Sequence, residues 1–211
     1  MAPVIPTKIT PFKTRAAFLA WMKKHHDTAT EIWIRIYKKD SGIATITNAE
    51  CLDVALCFGW IDAIRKSYDE QSYLQRYCPR RARSMWSQIN REHVARLTAA
   101  GQMTPHGQHQ IDAAKADGRW DAAYAPMSAA TTDSIAADLR TAIEANPKAL
   151  KTFRTLNKAN LFSLIFRMSQ VKTAAGRATK IKALVAMLAR GETIAPQPAL
   201  RKRRKSTTRA G

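Results

Sequence analysis

The sequence predicts an α+β fold: a small antiparallel sheet in the N-terminal half packed with helices, and an all-helical C-terminal half. Three observations predict it. "EIWIRIYKK" alternates apolar and polar residues, the period of a strand with one buried face. "WIDAIRKSY" and "SYLQRYC" alternate in the same way across "DEQ", which reads as an antiparallel hairpin. Beyond Ser84 the apolar residues recur three and four apart, between caps and glycines.

The elements follow in order. "MAPVIPTKITPFKT" carries three prolines and reads as an extended lead-in over residues 1–13. "TRAAFLAWMKKHH" sets Ala17, Phe18, Trp21 and Met22 at helical spacing. In the strand that follows, Ile32, Ile34 and Ile36 share one face, and Asp40 to Gly42 turn the chain. "TNAE", from Thr47 to Glu50, is a capping box: the threonine can accept from the amide three residues on, and the glutamate can reach back. That helix runs through "CLDVALCF" and stops at Gly59. The hairpin strands then occupy about 60–67 and 72–78. "SMWSQINREHVARLTAA" reads as a helix capped by Ser84 or Ser87. "TPHGQHQIDAAKAD" starts on Thr104 and Pro105, a cap followed by a proline at the first helical position. "TTDSIAADLRTAIEA", "KALKTFRTL", "NLFSLIFRMSQVK" and "TAAGRATKIKALVAMLAR" complete the helices, the last ending at Gly191. The expected organisation is an α+β core over 14–125, a helical part packed on it over 126–191, and a disordered basic tail over 192–211.

Composition narrows the function classes. The 211 residues carry 35 Lys and Arg against 16 Asp and Glu, a net charge of +19. Six of these charges (Arg201, Lys202, Arg203, Arg204, Lys205 and Arg209) sit in the tail, so the remainder is basic in its own right. Such a surface attracts polyanions, and binding through the tail should be weak and fall with salt. No apolar run approaches the ~20 residues of a membrane span. The N-terminus lacks the pattern of a secretory signal, so a cytoplasmic protein is expected. Cys51, Cys57 and Cys78 are odd in number and without a CxxC spacing, which argues against a disulfide framework or a zinc site. His106 and His109 have no third ligand nearby, so no metal and no cofactor is expected. No GxGxxG, P-loop, HExxH or GxSxG occurs, and the reading leans away from an enzyme.

Three clusters of mixed polar and aromatic residues remain. "CFGWID" places Trp60 and Asp62 on one face of a strand. "PRRARSMWSQIN" sets Arg80, Arg81 and Arg83 before a helix start, with Ser84, Trp86, Ser87 and Asn90 following at turn spacing. "GRWDAAY" adds Arg119. Arginine forks beside a helix N-terminus, with serine and asparagine one turn apart, are what oxoanion recognition requires. The bland alternative is a solvated basic turn with Trp60 and Trp86 in the core. The three clusters are expected to converge, with Asp62 within reach of Arg65, Arg80, Arg83 or Arg119. The candidate ligand-binding residues are those named here: Trp60, Asp62, Arg65, Arg80, Arg83, Ser84, Trp86, Ser87, Asn90 and Arg119.

"ALCFGWID", "PRRARSMWSQINRE", "LTAAGQMTPHG", "AKADGRWDAAY", "ANPKAL" and "KTAAGRATKI" together resemble the YdeI/OmpD-associated, or bacteriocin-protection, family, from about Phe18 to Gly191. The resemblance implies a bacterial cytosolic-type domain of sheet plus helices. It also implies a role in tolerance to bacteriocins or antimicrobial peptides and an association with an outer-membrane porin. The missing export signal argues against that porin contact. The resemblance supplies no catalytic residues. Three functions therefore stand: a non-enzymatic binder of small anions in stress or antimicrobial-peptide tolerance; an enzyme on a phosphorylated or carboxylated small molecule, with Asp62 as acid or base; and a nucleic-acid-associated basic protein.

Overall fold

The computed structural model describes Pro6 and residues 8–197. Its contacts divide the chain after Tyr124 into two compact units.

The first unit orders Thr10–Pro11 (β1), Arg15–His25 (α1), Ile32–Tyr37 (β2), Asn48–Cys57 (α2), Trp60–Ser67 (β3), Ser72–Pro79 (β4), Gln88–Ala99 (α3) and Pro105–Ala116 (α4). The strands form one sheet in the order β1-β2-β4-β3. β2 and β3 each pair antiparallel with β4, as the hairpin pattern implies. Part of the lead-in joins them: β1 lies parallel to β2, with Thr10 opposite Ile34. Two residues, one of them a proline, are too short for the periodicity to reveal.

Ile32, Ile34 and Ile36 bury one face of β2, beneath Phe18 and Met22 of α1 and Cys51, Val54 and Leu56 of α2. The capping box forms in full: Glu50 N donates to Thr47 Oγ1 at 3.2 Å, and Thr47 N donates to Glu50 Oε2 at 2.9 Å. The alternation of β3 breaks after Asp62, where the pairing with β4 shifts register, and Ile64 is left 50% exposed.

α3 starts after the later of the two serines that the sequence offers as caps. Ser87 is its cap, accepting from Asn90 N at 3.1 Å, and Ser84 to Trp86 are not helical. The reason is long-range. Tyr124 N donates to Trp86 O at 3.0 Å and Gln88 N donates to Tyr124 O at 2.9 Å, so a bridge holds Ser87 extended. α4 packs tightly on α2. A Cβ at Gly107 would stand 2.5 Å from Met103 Sδ and clash with the Cys57 carbonyl.

The second unit is helical: Ala137–Glu144 (α5), Pro147–Phe153 (α6), Lys158–Ser169 (α7) and Ala174–Ala189 (α8). Leu139, Ile143, Phe153, Leu164, Met168, Leu184 and Leu188 form its core. Residues 192–197 correct the expectation of a disordered tail from residue 192. Ala195 N donates to Asn160 Oδ1 at 2.8 Å, and Asn160 Nδ2 donates to Ala195 O at 3.1 Å and to Gln197 Oε1 at 3.0 Å. Asn160 is itself buried, so the chain after α8 satisfies polar atoms that would otherwise be stranded. The basic run and everything else beyond Gln197 lies outside the described residues.

Candidate functional site

Gly59 fixes the geometry. Its φ is 72°, and a Cβ there would come 2.9 Å from the His106 carbonyl oxygen. Its own carbonyl accepts from Arg80 N at 2.9 Å, which joins the start of β3 to the end of β4. The hairpin thus delivers Arg80 beside Trp60.

Arg80 is only 6% exposed. Its guanidinium carbon lies 3.7 Å from the centre of the Trp86 ring. Nη2 donates to Met85 O at 2.8 Å, while Nη1 is buried with no hydrogen-bond partner. Burial pushes the guanidinium down to about 10, reinforced by Arg119 and opposed by Tyr124 and Asp62. Trp86 meets Trp120 edge-on at 4.9 Å. Arg91 and Lys115 lie 5.3 and 5.6 Å from the Trp120 ring, so the indole pair carries cations at both ends. Arg119 Nη1 donates to Ser84 O at 2.9 Å, and its Nε pairs with Asp117 at 2.7 Å.

The three sequence clusters therefore meet around Arg80 and Trp86. Trp60, Arg80, Trp86, Ser87 and Asn90 are buried; Asp62, Ser84 and Arg119 are half-buried. Trp60 is held by its indole N–H, which donates to His26 O at 3.1 Å. Two candidates do not join. Arg65 is exposed, stacks 4.5 Å from the Tyr73 ring and donates to Gln75 Oε1 at 2.9 Å. Arg83 is exposed as well. The register shift after Asp62 carries Arg65 toward Gln75, and the turn at 82–83 leaves Arg83 in solvent.

Asp62 forms no ion pair among the described residues. Burial pushes its carboxyl up, and its own backbone amide, Arg65, Arg80 and His93 only partly offset this. The arginine reach expected for it is a field at a distance, not a contact. Burial and the Asp62 charge raise Tyr124, against a hydrogen bond with Ser87.

A cleft of about 290 Å³ opens at this junction, between His26 and Asp27, Phe58 to Trp60, Pro79 and Arg80, and the first turns of α4. His26 has its Nε2 buried without a partner, and its ring meets that of His106 at 4.2 Å. His109 and Gln110 complete the α4 wall. The cleft offers cationic and neutral donors and one carboxylate, Asp27, which is an anion receptor's composition. Sequence reasoning missed His26, because nothing local distinguishes it from a helix-terminal histidine. It also missed a second polar group, where Asp53 takes 2.6 Å contacts from His93 and Arg96 across α2 and α3. Burial alone would raise Asp53, but those two hydrogen bonds bring it below the usual carboxylate range.

Burial pushes the Cys51 and Cys57 thiols up to about 12 and about 11, so neither is a ready nucleophile. Among the described residues no group of three or more His, Cys, Asp or Glu is placed to hold a metal ion, and no helix is long and apolar enough to cross a membrane.

Two family models match the chain. Residues 10–110 match a domain of unknown function (DUF8412), and residues 134–191 match "Bacteriocin-protection, YdeI or OmpD-Associated". The Arg80 cleft lies within the first match, and the second falls within the helical unit. No curated protein and no solved structure matches the chain.

Proposed function

We propose, given that residues 134–191 carry the YdeI/OmpD-associated family match, that this chain is a non-enzymatic cytoplasmic protein that binds a small anion in the Arg80 cleft. Its physiological setting is protection against bacteriocins, which the family description names, or tolerance of antimicrobial peptides more broadly. One observation carries the binding proposal: a buried arginine with an unpartnered Nη1 stands at the wall of a cleft that also holds the unpartnered Nε2 of His26. A buried cationic donor without an acceptor costs stability, and a carboxylate or phosphate oxygen would relieve that cost. The net charge of +19 supports the same ligand class by drawing anions toward the surface.

The experiment is a thermal-shift screen of the full chain against phosphorylated and carboxylated metabolites. A ligand at a hundred times its Kd stabilises by roughly 2.7 kcal/mol. At least one hit must lose its effect in Arg80→Met; a screen in which no hit depends on Arg80 would reject the cleft.

One observation favours a second reading, an enzyme on the same ligand class. Asp62 is half-buried and unpaired, with its carboxyl pushed up by burial, which suits a general acid or base. Chemical turnover of a screened ligand, abolished in Asp62→Asn with binding retained, would establish it.

A further inference from the structure

A second cavity stands apart from the Arg80 cleft. It has about 560 Å³ and shares no lining residue with that cleft. Trp21 and His25 of α1 and Trp33 of β2 provide aromatic walls, and Lys8 from the lead-in and Lys66 from β3 provide positive charge. Its volume falls in the range of small-molecule sites, roughly 300–1,000 Å³.

The charges of the lining are unequal. Glu31 is its one carboxylate, and that carboxylate is already engaged: Trp33 Nε1 donates to one oxygen at 3.0 Å, and Arg76 Nε donates to the other at 2.7 Å. Arg76 engages Glu31, and Lys8 and Lys66 add positive charge to the lining. Lys66 Nζ lies 5.1 Å from the centre of the Trp33 ring, so a cation sits directly against an aromatic wall. Trp21 keeps part of its indole accessible, although it touches Trp60 edge-on at 6.0 Å and His25 at 5.0 Å.

We infer that this cavity binds a small planar aromatic anion, its ring against Trp21 and Trp33 and its acidic group toward Lys8 and Lys66. A ring alone would leave the lysines without a partner in the ligand. A bare anion would leave the indole surfaces unused, although an indole is a favourable stacking platform for any planar ring. The combination fits a nucleotide or an aromatic carboxylate, which share this chemistry.

Calorimetric titration of the full chain separates the cases. The probes are adenosine 5′-monophosphate, indole-3-carboxylate, adenosine (ring without charge) and ribose 5-phosphate (charge without ring). At least one of the first two should bind, at least tenfold more tightly than both controls. The exposed Lys8→Ala combined with Lys66→Ala should weaken that binding at least tenfold, and Arg80→Met should leave it unchanged. If the nucleotide binds and the carboxylate does not, the natural ligand is of the phosphate kind, and the reverse result assigns a carboxylate. The inference is overturned if neither ring-bearing anion binds at millimolar concentration, or if ribose 5-phosphate binds as well as they do. It is equally overturned if the double lysine variant binds like the parent. Binding lost in Arg80→Met but kept in the lysine variant would place the ligand in the Arg80 cleft instead.

Discussion

Replacing Arg80 by methionine asks whether the buried guanidinium serves the fold or a ligand. The substitution removes a hydrogen bond from a charged donor to Met85 O, worth ~1.5–3 kcal/mol. It also removes a desolvated cation–π contact at 3.7 Å, worth ~2 kcal/mol. Against that loss stands the relief of burying the charge. A guanidinium pushed down to about 10 by burial carries ~3 kcal/mol of unfavourable charge. Methionine keeps an apolar stem on Trp86 and adds a sulfur–aromatic contact of ~1 kcal/mol. The two sides nearly cancel, so Arg80→Met should change the stability of the first unit by no more than ~1 kcal/mol. Urea unfolding followed by tryptophan fluorescence reports that unit alone, because all five tryptophans precede Tyr124. A loss of ~3 kcal/mol or more would show that Arg80 is a structural keystone, and the case for a ligand-directed arginine would fail.

Three other outcomes are expected. The folded pKa of Asp62 lies above its unfolded value, so the native state holds its proton more tightly and the carboxylate costs stability at neutral pH. Asp62→Asn should therefore raise the melting temperature at pH 7, with the gain shrinking to nothing as the pH falls below ~4; a lower melting temperature at pH 7 would contradict this. Gly107→Ala drives a methyl into Met103 and the Cys57 carbonyl and should cost ~1–3 kcal/mol by the same urea assay; an unchanged midpoint would show that α4 shifts freely. Deleting residues 198–211 should leave helical melting at 222 nm unchanged and reduce salt-sensitive DNA binding, whereas deleting 192–211 strands Asn160 and should destabilise the second unit by ~1–3 kcal/mol. Equal melting of the two truncations would refute the docking of Ala195 and Gln197.

Local signals were strong where the chain decides alone. The capping box at Thr47 and the helix starts at Thr104 and Asn146 depend on residues within four positions of each other, and the hairpin over Trp60 to Pro79 pairs strands that are neighbours in sequence. What the sequence left open or missed depends on partners far away in sequence. The choice between Ser84 and Ser87 as the cap of α3 is set by Tyr124, thirty-seven residues past Ser87. The docking of 192–197 is set by Asn160, and the short β1 by a parallel partner that no hairpin announces.

The candidate site was legible in the same proportion. Tryptophan with arginine, aspartate or asparagine marked three stretches, and Arg80, Trp86, Trp120 and Arg119 do meet. Arg83 was chosen for its place before a helix start and Arg65 for its nearness to Asp62 in sequence, and neither criterion distinguishes a buried arginine from an exposed one. Periodicity past Asp62 misled because the register shift in β3 is invisible in the residue pattern. The histidine wall of the cleft comes from α1 and α4, whose ends are eighty residues apart, and only the fold brings His26 to His106.

The most direct test of the anion cleft is a calorimetric titration of the full chain with inorganic phosphate at constant ionic strength, repeated with Arg80→Met. Saturable binding to the parent that disappears in the variant, with both proteins equally folded, is the predicted result. No saturable binding to the parent, or the same isotherm from both proteins, would contradict it.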